Sequence, residues 1–258
     1  MTTDLIQLAL GALGGGLIGL LLSVFGGGGS VMAAPFLLYI VGVTDPHIAI
    51  GTSAAAVSIN AATGLAFQAR AGKVKWPCAT VFAIAGLSGA LIGAHFAKQV
   101  EGERLLGWFA LAMGAVAVSM LLPRRSEGDP GVHITPALVA RLTPAGFATG
   151  LAAGFFGIGG GFLIAPGLMA ATGMTLANAA ASSLVSVSLF GAATSLSYAS
   201  SGLVNWPLFA AMVAGGAVGA IAGVPLARRL ADHAVLTRRL FALMILAVAA
   251  YVGWRALG

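Results

Sequence analysis

Charge is what this sequence has least of. Of its 258 residues only 8% are charged while 59% are hydrophobic, where an ordinary soluble domain carries about 25% charged residues. A water-soluble fold of this size could not cover its surface with so few charges, so lipid is the expected solvent. Cysteine is nearly absent as well: Cys78 alone excludes an intramolecular disulfide and a thiolate metal cluster and reads as a small buried apolar residue. Strand-type alternation of apolar and polar residues is missing, which excludes a membrane β-barrel. Between the ends of the apolar runs there is no Asp, Glu, Lys or Arg. His95, near the end of its run, is the single ionisable candidate inside one. Acids within a span are the usual mark of a proton-coupled carrier, so weak or no proton coupling is expected. No nucleophile and base pair, metal-ligand cluster or nucleotide-binding pattern is visible, so neither an enzyme nor a cofactor is expected.

What the sequence does have is apolar runs, separated by short breaks that hold nearly all the Lys and Arg. A hydrocarbon core about 30 Å thick asks for spans of about 20 apolar residues, and in lipid such spans must be helices to satisfy their own backbone. The net charge of +6 sits at the ends of runs rather than in one patch, which points to membrane orientation and not to nucleic acid. The start, Met1 to Asp4, has no basic stretch of the kind that opens a secretory signal, so the run from Leu5 is expected to be a retained span.

The chain is written twice. The stretch Phe25 to Pro35 (FGGGGSVMAAP) lies over Phe156 to Pro166 (FGIGGGFLIAP) at an offset of 131 residues. After a one-residue gap near Pro46, Thr52 and Ser53 fall on Ser182 and Ser183, Gly72 on Gly202, Trp76 and Pro77 on Trp206 and Pro207, and Gly86, Gly89 and Gly93 on Gly216, Gly219 and Gly223, all offset by 130. Such a period marks two homologous units: residues 1–122, a polar connecting loop at 123–141, and residues 142–258. Each unit reads as five helical segments. The first has Leu5 to Val24, Val31 to Gly42, Ile48 to Ala69, Trp76 to Ala97 and Leu105 to Leu122; the second has Leu142 to Phe155, Phe162 to Thr172, Asn178 to Ser200, Trp206 to Ala227 and Leu240 to Trp254. The second segment of each is too short to cross the core, so the first two form either one interrupted crossing or a re-entrant hairpin.

Basic residues discriminate between the two. With one net crossing the units run parallel, and the 13 Lys and Arg split seven to six, which is no bias. With a hairpin the units are inverted, and Arg70, Lys73, Lys75, Arg124, Arg125, Arg141, Arg228, Arg229, Arg238 and Arg239 share the cytoplasmic side, leaving Lys98, Arg104 and Arg255 outside. The positive-inside rule favours the hairpin. The expected fold is therefore an all-α membrane protein of two homologous five-segment repeats, inverted in topology, each with a Gly-broken re-entrant helix pair and with both termini outside.

The glycine runs fall where a helix must stop inside the membrane and another begin. Unpaired N–H groups at a helix start carry the positive end of the dipole, and two such starts related by the repeat would converge on one small anion near the midplane. Gly27, Gly28, Gly29 and Ser30 in one unit, and Gly159, Gly160 and Gly161 in the other, are the candidates, with Ser30 as a cap for the short helix. Glycines also serve close helix packing, and Gly86, Gly89 and Gly93 fit such a seam. The third segments add a polar face, Thr52, Ser53, Asn60 and Thr63 against Ser182, Ser183, Ser186, Thr194 and Ser197. From these Thr52, Ser53, Asn60, Ser182, Ser183 and Ser186 are the candidate anion contacts, although a lone serine usually bonds its own helix. Gln68 and Tyr198, aligned between the units, are gate or cavity candidates, with packing as the plainer alternative.

At the glycine runs, Val24 to Ser30 and Gly154 to Gly161, each followed by a proline, then at the Thr52-Ser53 and Ser182-Ser183 pairs and at the matched stretches Gly72 to Pro77 and Gly202 to Pro207, the sequence resembles the sulfite exporter TauE/SafE family over nearly its whole length. One departure is that the first run reads GGGGS where the second reads GIGGG, so the two helix ends need not contribute equally. The resemblance implies a multi-pass permease of the bacterial inner membrane for sulfur-containing anions such as sulfite, sulfoacetate or related organosulfonates. The expectation is then an exporter alternating access around a midplane site, with the small anion and the lipid bilayer as partners. An uptake permease for a related inorganic anion and a non-transporting assembly or receptor subunit are the rival readings. A monomer and a homodimer both stay open.

Overall fold

In the computed structural model, residues 4–121, 128–157, 161–231 and 233–257 are described. Among the described residues ten α-helices follow one another: α1 Leu5–Phe25, α2 Ala33–Tyr39, α3 Pro46–Arg70, α4 Trp76–Ala97, α5 Gly102–Leu121, α6 Pro136–Phe156, α7 Gly161–Thr172, α8 Leu176–Ala199, α9 Trp206–Ala231 and α10 Ala234–Leu257. Seven stretches among the described residues are long and apolar enough to cross a membrane, and the chain is a multi-pass membrane protein. The starts are set locally. Asp45 Oδ1 accepts from His47 N at 2.8 Å ahead of Pro46, and Thr135 and Thr175 accept from Leu138 N and Asn178 N to open α6 and α8. Each such cap satisfies a donor that the first turn leaves unpaired.

Three differences from the sequence reading stand out among shifts of a few residues at other helix ends. Helix α6 begins at Pro136, inside the stretch read as connector, because Thr135 and Pro136 form a start signal stronger than the polar composition around it. Helix α10 begins at Ala234 rather than Leu240. The first glycine run is not an open break: Gly26–Met32 is a 3-10 helix joining α1 to α2.

By composition Leu5–Tyr39 would pass as one apolar span of 35 residues, but it doubles back. The Gln7 amide donates to Val41 O at 3.4 Å, a methyl on Gly14 would strike the Phe36 ring, and one on Gly29 would strike the backbone of Leu21 and Leu22. Helices α1 and α2 are thus the two arms of a hairpin whose tip is the glycine run. Helices α6 and α7 do the same, with Gly167 against Thr149. At both tips the chain turns with φ near +60°, Gly26 at 61° and Gly157 at 67°, in the region where a side chain is strained and glycine is not.

The helices of the first and second halves of the chain pack against one another. Helix α1 lies along α9 and α6 along α4, while α3 crosses α8 and α5 meets α10. Glycine makes the first two contacts possible. A methyl on Gly15 or Gly19 would fall on the carbonyls of Met212 and Gly216, and one on Gly150 or Gly154 on those of Gly86 and Ala90. Backbone-to-backbone approach of this kind is the usual way helices associate where no hydrophobic drive separates protein from lipid. Helices α3 and α8 cross where Ser58 Oγ donates to Ser188 O at 2.7 Å, two residues that occupy matched places 130 apart.

Two ends can be told apart by what meets there. Lys98 Nζ donates to Ser197 O, Pro46 meets Gly102, and Arg255 stacks over Tyr39 and Tyr251. At the opposite end Lys75 N meets Ser182, and Gln68, Lys73 and Ala227 surround one cavity. These are called the Lys98 end and the Lys73 end below.

Candidate functional site

The two hairpin tips reach the middle of the molecule and touch. A methyl on Gly161 would fall on the carbonyl of Gly27, and one on Gly27 would lie 3.0 Å from Gly161 Cα and 3.1 Å from Ser183 Oγ. Gly26 lies against the backbone of Ala180 in α8, and Gly157 against Ile50 in α3, two positions 130 residues apart. Gly27, Gly28, Gly29, Ser30 and Gly161 are all buried. Gly159 and Gly160 lie outside the described residues.

At the first tip the Gly27 donor is not vacant in this conformation. Gly27 N donates to Ser183 Oγ at 3.0 Å, and that hydroxyl donates onward to Ala180 O at 2.7 Å. Ser183 thus offers the first tip an oxygen where the sequence led us to expect a free N–H. Ser30 does not cap α2 either: its Oγ donates to Gly27 O at 2.8 Å within the 3-10 turn, and α2 has no side-chain cap. Gly28 is pressed by the Phe241 ring and Gly29 by α1 itself, so these two glycines admit neighbours rather than line a space.

Of the polar candidates on α3 and α8, some are drawn to the centre and some are not. Ser53 Oγ donates to its own helix at Ile50 O, 3.0 Å away. Thr52 and Ser182 point away from the tips: Thr52 Oγ1 accepts from Asn205 N and Ser182 Oγ from Lys75 N, each at 2.9 Å. Both hydroxyls therefore hold the residue just before a Trp-Pro helix start in the opposite unit. Asn60 Nδ2 donates to Met212 O at 3.3 Å, its Oδ1 has no partner, and its amide fills the gap at Gly216. Ser186, fully buried, has a hydroxyl with no partner at all. In a dry interior that is costly unless a ligand or water completes it.

Two adjoining cavities approach the first tip from the Lys73 end. At the Lys73 end a cavity of ≈ 250 Å³ is lined by Ser23, Phe67, Gln68, Arg70, Lys73, Val224 and Ala227. A narrower one of ≈ 50 Å³ shares Gln68, Lys73 and Ala227 and runs on to Phe25, Ala180, Thr237 and Phe241. Phe25 and Phe241 stack at its floor with ring centroids 5.2 Å apart, one residue from Gly26 and in contact with Gly28. Lys73 and Gln68 thus line both cavities, and Phe25 in the inner one adjoins the first tip. Lys73 appeared in the sequence only as an orientation signal. Its position just past Gly72, at the turn leaving α3, was the available clue. Thr237 and Phe241 gave no signal.

The chain matches the family model for the sulfite exporter TauE/SafE over residues 11–252. It is 45% identical to a probable membrane transporter protein of Xylella fastidiosa (strain Temecula1), over 99% of this chain and 98% of that one. It is 26% identical to the probable membrane transporter protein YunE of Bacillus subtilis, over 83% and 86% of the two chains. No solved structure matches it.

Proposed function

Because this chain belongs to the sulfite exporter TauE/SafE family of membrane transporters, we propose that it carries a small sulfur-containing anion, such as sulfite or sulfoacetate, out of the cell across the inner membrane. The observation that carries this reading is the basic cavity at the Lys73 end, whose inner lining of Phe25, Ala180 and Phe241 borders the first glycine tip. In the bound state an oxyanion takes the place of Ser183 Oγ at Gly27 N and reaches the unpartnered Ser186 hydroxyl. Charge-assisted bonds of that kind are stronger than the neutral one they replace.

The topology we propose is the inverted repeat. Its support is the exchange of partners between α1·α9 and α6·α4, the hairpins at both glycine runs, and the sorting of basic residues. Arg70, Lys73 and Lys75 gather at one end and Lys98 and Arg255 at the other. With the first end in the cytoplasm, the cavity loads from inside. An anion leaving a negative interior gains about 2.3 kcal/mol per charge per 100 mV, enough to drive export without a coupling ion. The test is flux of sulfite and sulfoacetate in proteoliposomes under an imposed potential. Efflux from the Lys73 side that grows with negative potential on that side is expected. Absence of flux for every sulfur oxyanion, with sulfate and thiosulfate included, would remove the reading.

A further inference from the structure

The far half of α8 carries polar groups that the central site leaves unused. On this helix Ser183 and Ser188 hydroxyls bond carbonyls of their own helix, at 2.7 and 2.8 Å, as serines in helices commonly do. Thr194 and Tyr198 do not. Both side chains are 0% exposed, and Thr194 Oγ1 and Tyr198 Oη have no partner. They stand four residues apart, on one side of the helix. Facing Tyr198 across a ring separation of 6.2 Å is His47 at the start of α3, whose Nδ1 is also buried without a partner. Lys98 brings a positive charge to the same end of α8, its ammonium resting on Ser197 O and Ser201 Oγ. Two hydroxyl donors, an imidazole nitrogen and a cation are the inventory of an oxyanion site. Three buried groups left unmet in one place are hard to reconcile with a purely structural role, since each costs stability as it stands.

We infer that Thr194, Tyr198 and His47 form a second anion station, between the central glycine tips and the Lys98 end, which is sealed here and fills when that end opens. It rests on the transport reading and extends it by naming the exit side. Phe190, which packs on Gly86 between Ser186 and Thr194, divides the station from the centre. The ligand class is the same small sulfonate or sulfite-like oxyanion, held by donors and released to the Lys98 side.

Two measurements test it. The first compares melting and sulfoacetate flux for Tyr198→Phe and Thr194→Val. A station predicts melting temperatures equal to or above wild type, because the unmet hydroxyls are gone, with flux at low sulfoacetate lower by about tenfold for each lost donor. Lower melting with flux in proportion to folded protein would mean a structural role and overturn the proposal. The second does not require net flux, only the opening of the Lys98 end, and is read over a labelling time long enough to capture such openings. In a Cys78→Ala background, Thr194→Cys is treated from the Lys98 side with the anionic reagent sulfonatoethyl methanethiosulfonate or its cationic trimethylammonioethyl analogue. Anionic labelling at least about tenfold faster than cationic, and slowed by sulfoacetate, is the expected result. Equal rates for the two reagents, or no labelling, would overturn the station. Selective labelling in a protein that shows no flux would keep the station and reject the transport reading instead.

Discussion

Gln68 and Tyr198 occupy matched positions on α3 and α8, 130 residues apart, yet what surrounds them is opposite. Gln68 is half-buried, its amide reaches Ser23 O at 3.2 Å, and the cavity lies beside it. Tyr198 is wholly buried, packs against Gly51 and His47, and fills the place where the corresponding space would be. The flanking residues follow suit. Lys73 stands at the mouth on one side, while its match at the other end is Leu203, packed on the core. Phe25 stacks on Phe241 at an open floor, and Phe156 tilts against Phe109 inside a closed cluster. At these two matched positions the surroundings thus diverge, a basic cavity beside Gln68 and an aromatic ring filling the place at Tyr198. A carrier that loads at one face and discharges at the other needs this asymmetry.

The largest effect is expected at the point both ends share. Gly161→Ala drives a methyl into the carbonyl of Gly27, backbone on backbone, where nothing flexible can yield. Sulfoacetate flux should fall by roughly thirtyfold to a hundredfold, in line with an overpacking strain of about 2 to 3 kcal/mol placed on the site. Gly114→Ala, whose new methyl meets nothing within 4 Å, is the control and should transport normally.

Exchanging the two ends comes next. Gln68→Tyr should plug the open cavity as Tyr198 plugs its counterpart and lower flux by about tenfold, close to the cost of one lost charge-assisted contact. The protein should still reach the membrane, as a surface-expression blot would verify. If the filled cavity left flux unchanged, the wide end would not be the loading end. Lys73→Gln should act more weakly, raising the half-saturating anion concentration about threefold to tenfold at low salt and less at high salt, as expected for electrostatic capture that ions screen. An effect independent of ionic strength would argue for a packing role.

The smallest effects belong to Thr52 and Ser182, one near each end. Thr52→Val and Ser182→Ala remove the acceptors for Asn205 N and Lys75 N, a loss that resembles a missing cap at about 0.5–2 kcal/mol. Each should lower the melting temperature by a few degrees with unchanged flux per folded molecule. Loss of flux without loss of stability would return these hydroxyls to the substrate path.

Much of this was legible in the sequence, and the reasons are specific. The offset of 130 to 131 residues located the helices, the two glycine tips and the matched pair Gln68 and Tyr198, because duplication displays the same constraint twice. The seam at Gly86, Gly89 and Gly93 was readable because only close approach explains glycine at that spacing. The pairing of hydroxyls was not. Whether Ser183 turns to Gly27, Thr52 to Asn205 or Thr194 to nothing depends on contacts between segments far apart in the chain, and serine and threonine serve each role equally well. The 3-10 winding of Gly26–Met32 was equally hidden: four glycines permit a break, but the packing of Phe241 and α1 against them accompanies a wound turn instead.

Ala97 and Ala227 provide the most direct test of alternating access around the joined tips, since they are matched positions, 130 apart, with Ala97 wholly buried and Ala227 lining the cavity. Each would be made cysteine in the Cys78→Ala protein and exposed to the anionic thiosulfonate from its own side, at rest and during sulfoacetate turnover. The account predicts that Ala227→Cys reacts at rest and Ala97→Cys does not, and that turnover slows the first while it uncovers the second. Two sites that react together, or that ignore the anion, would contradict it.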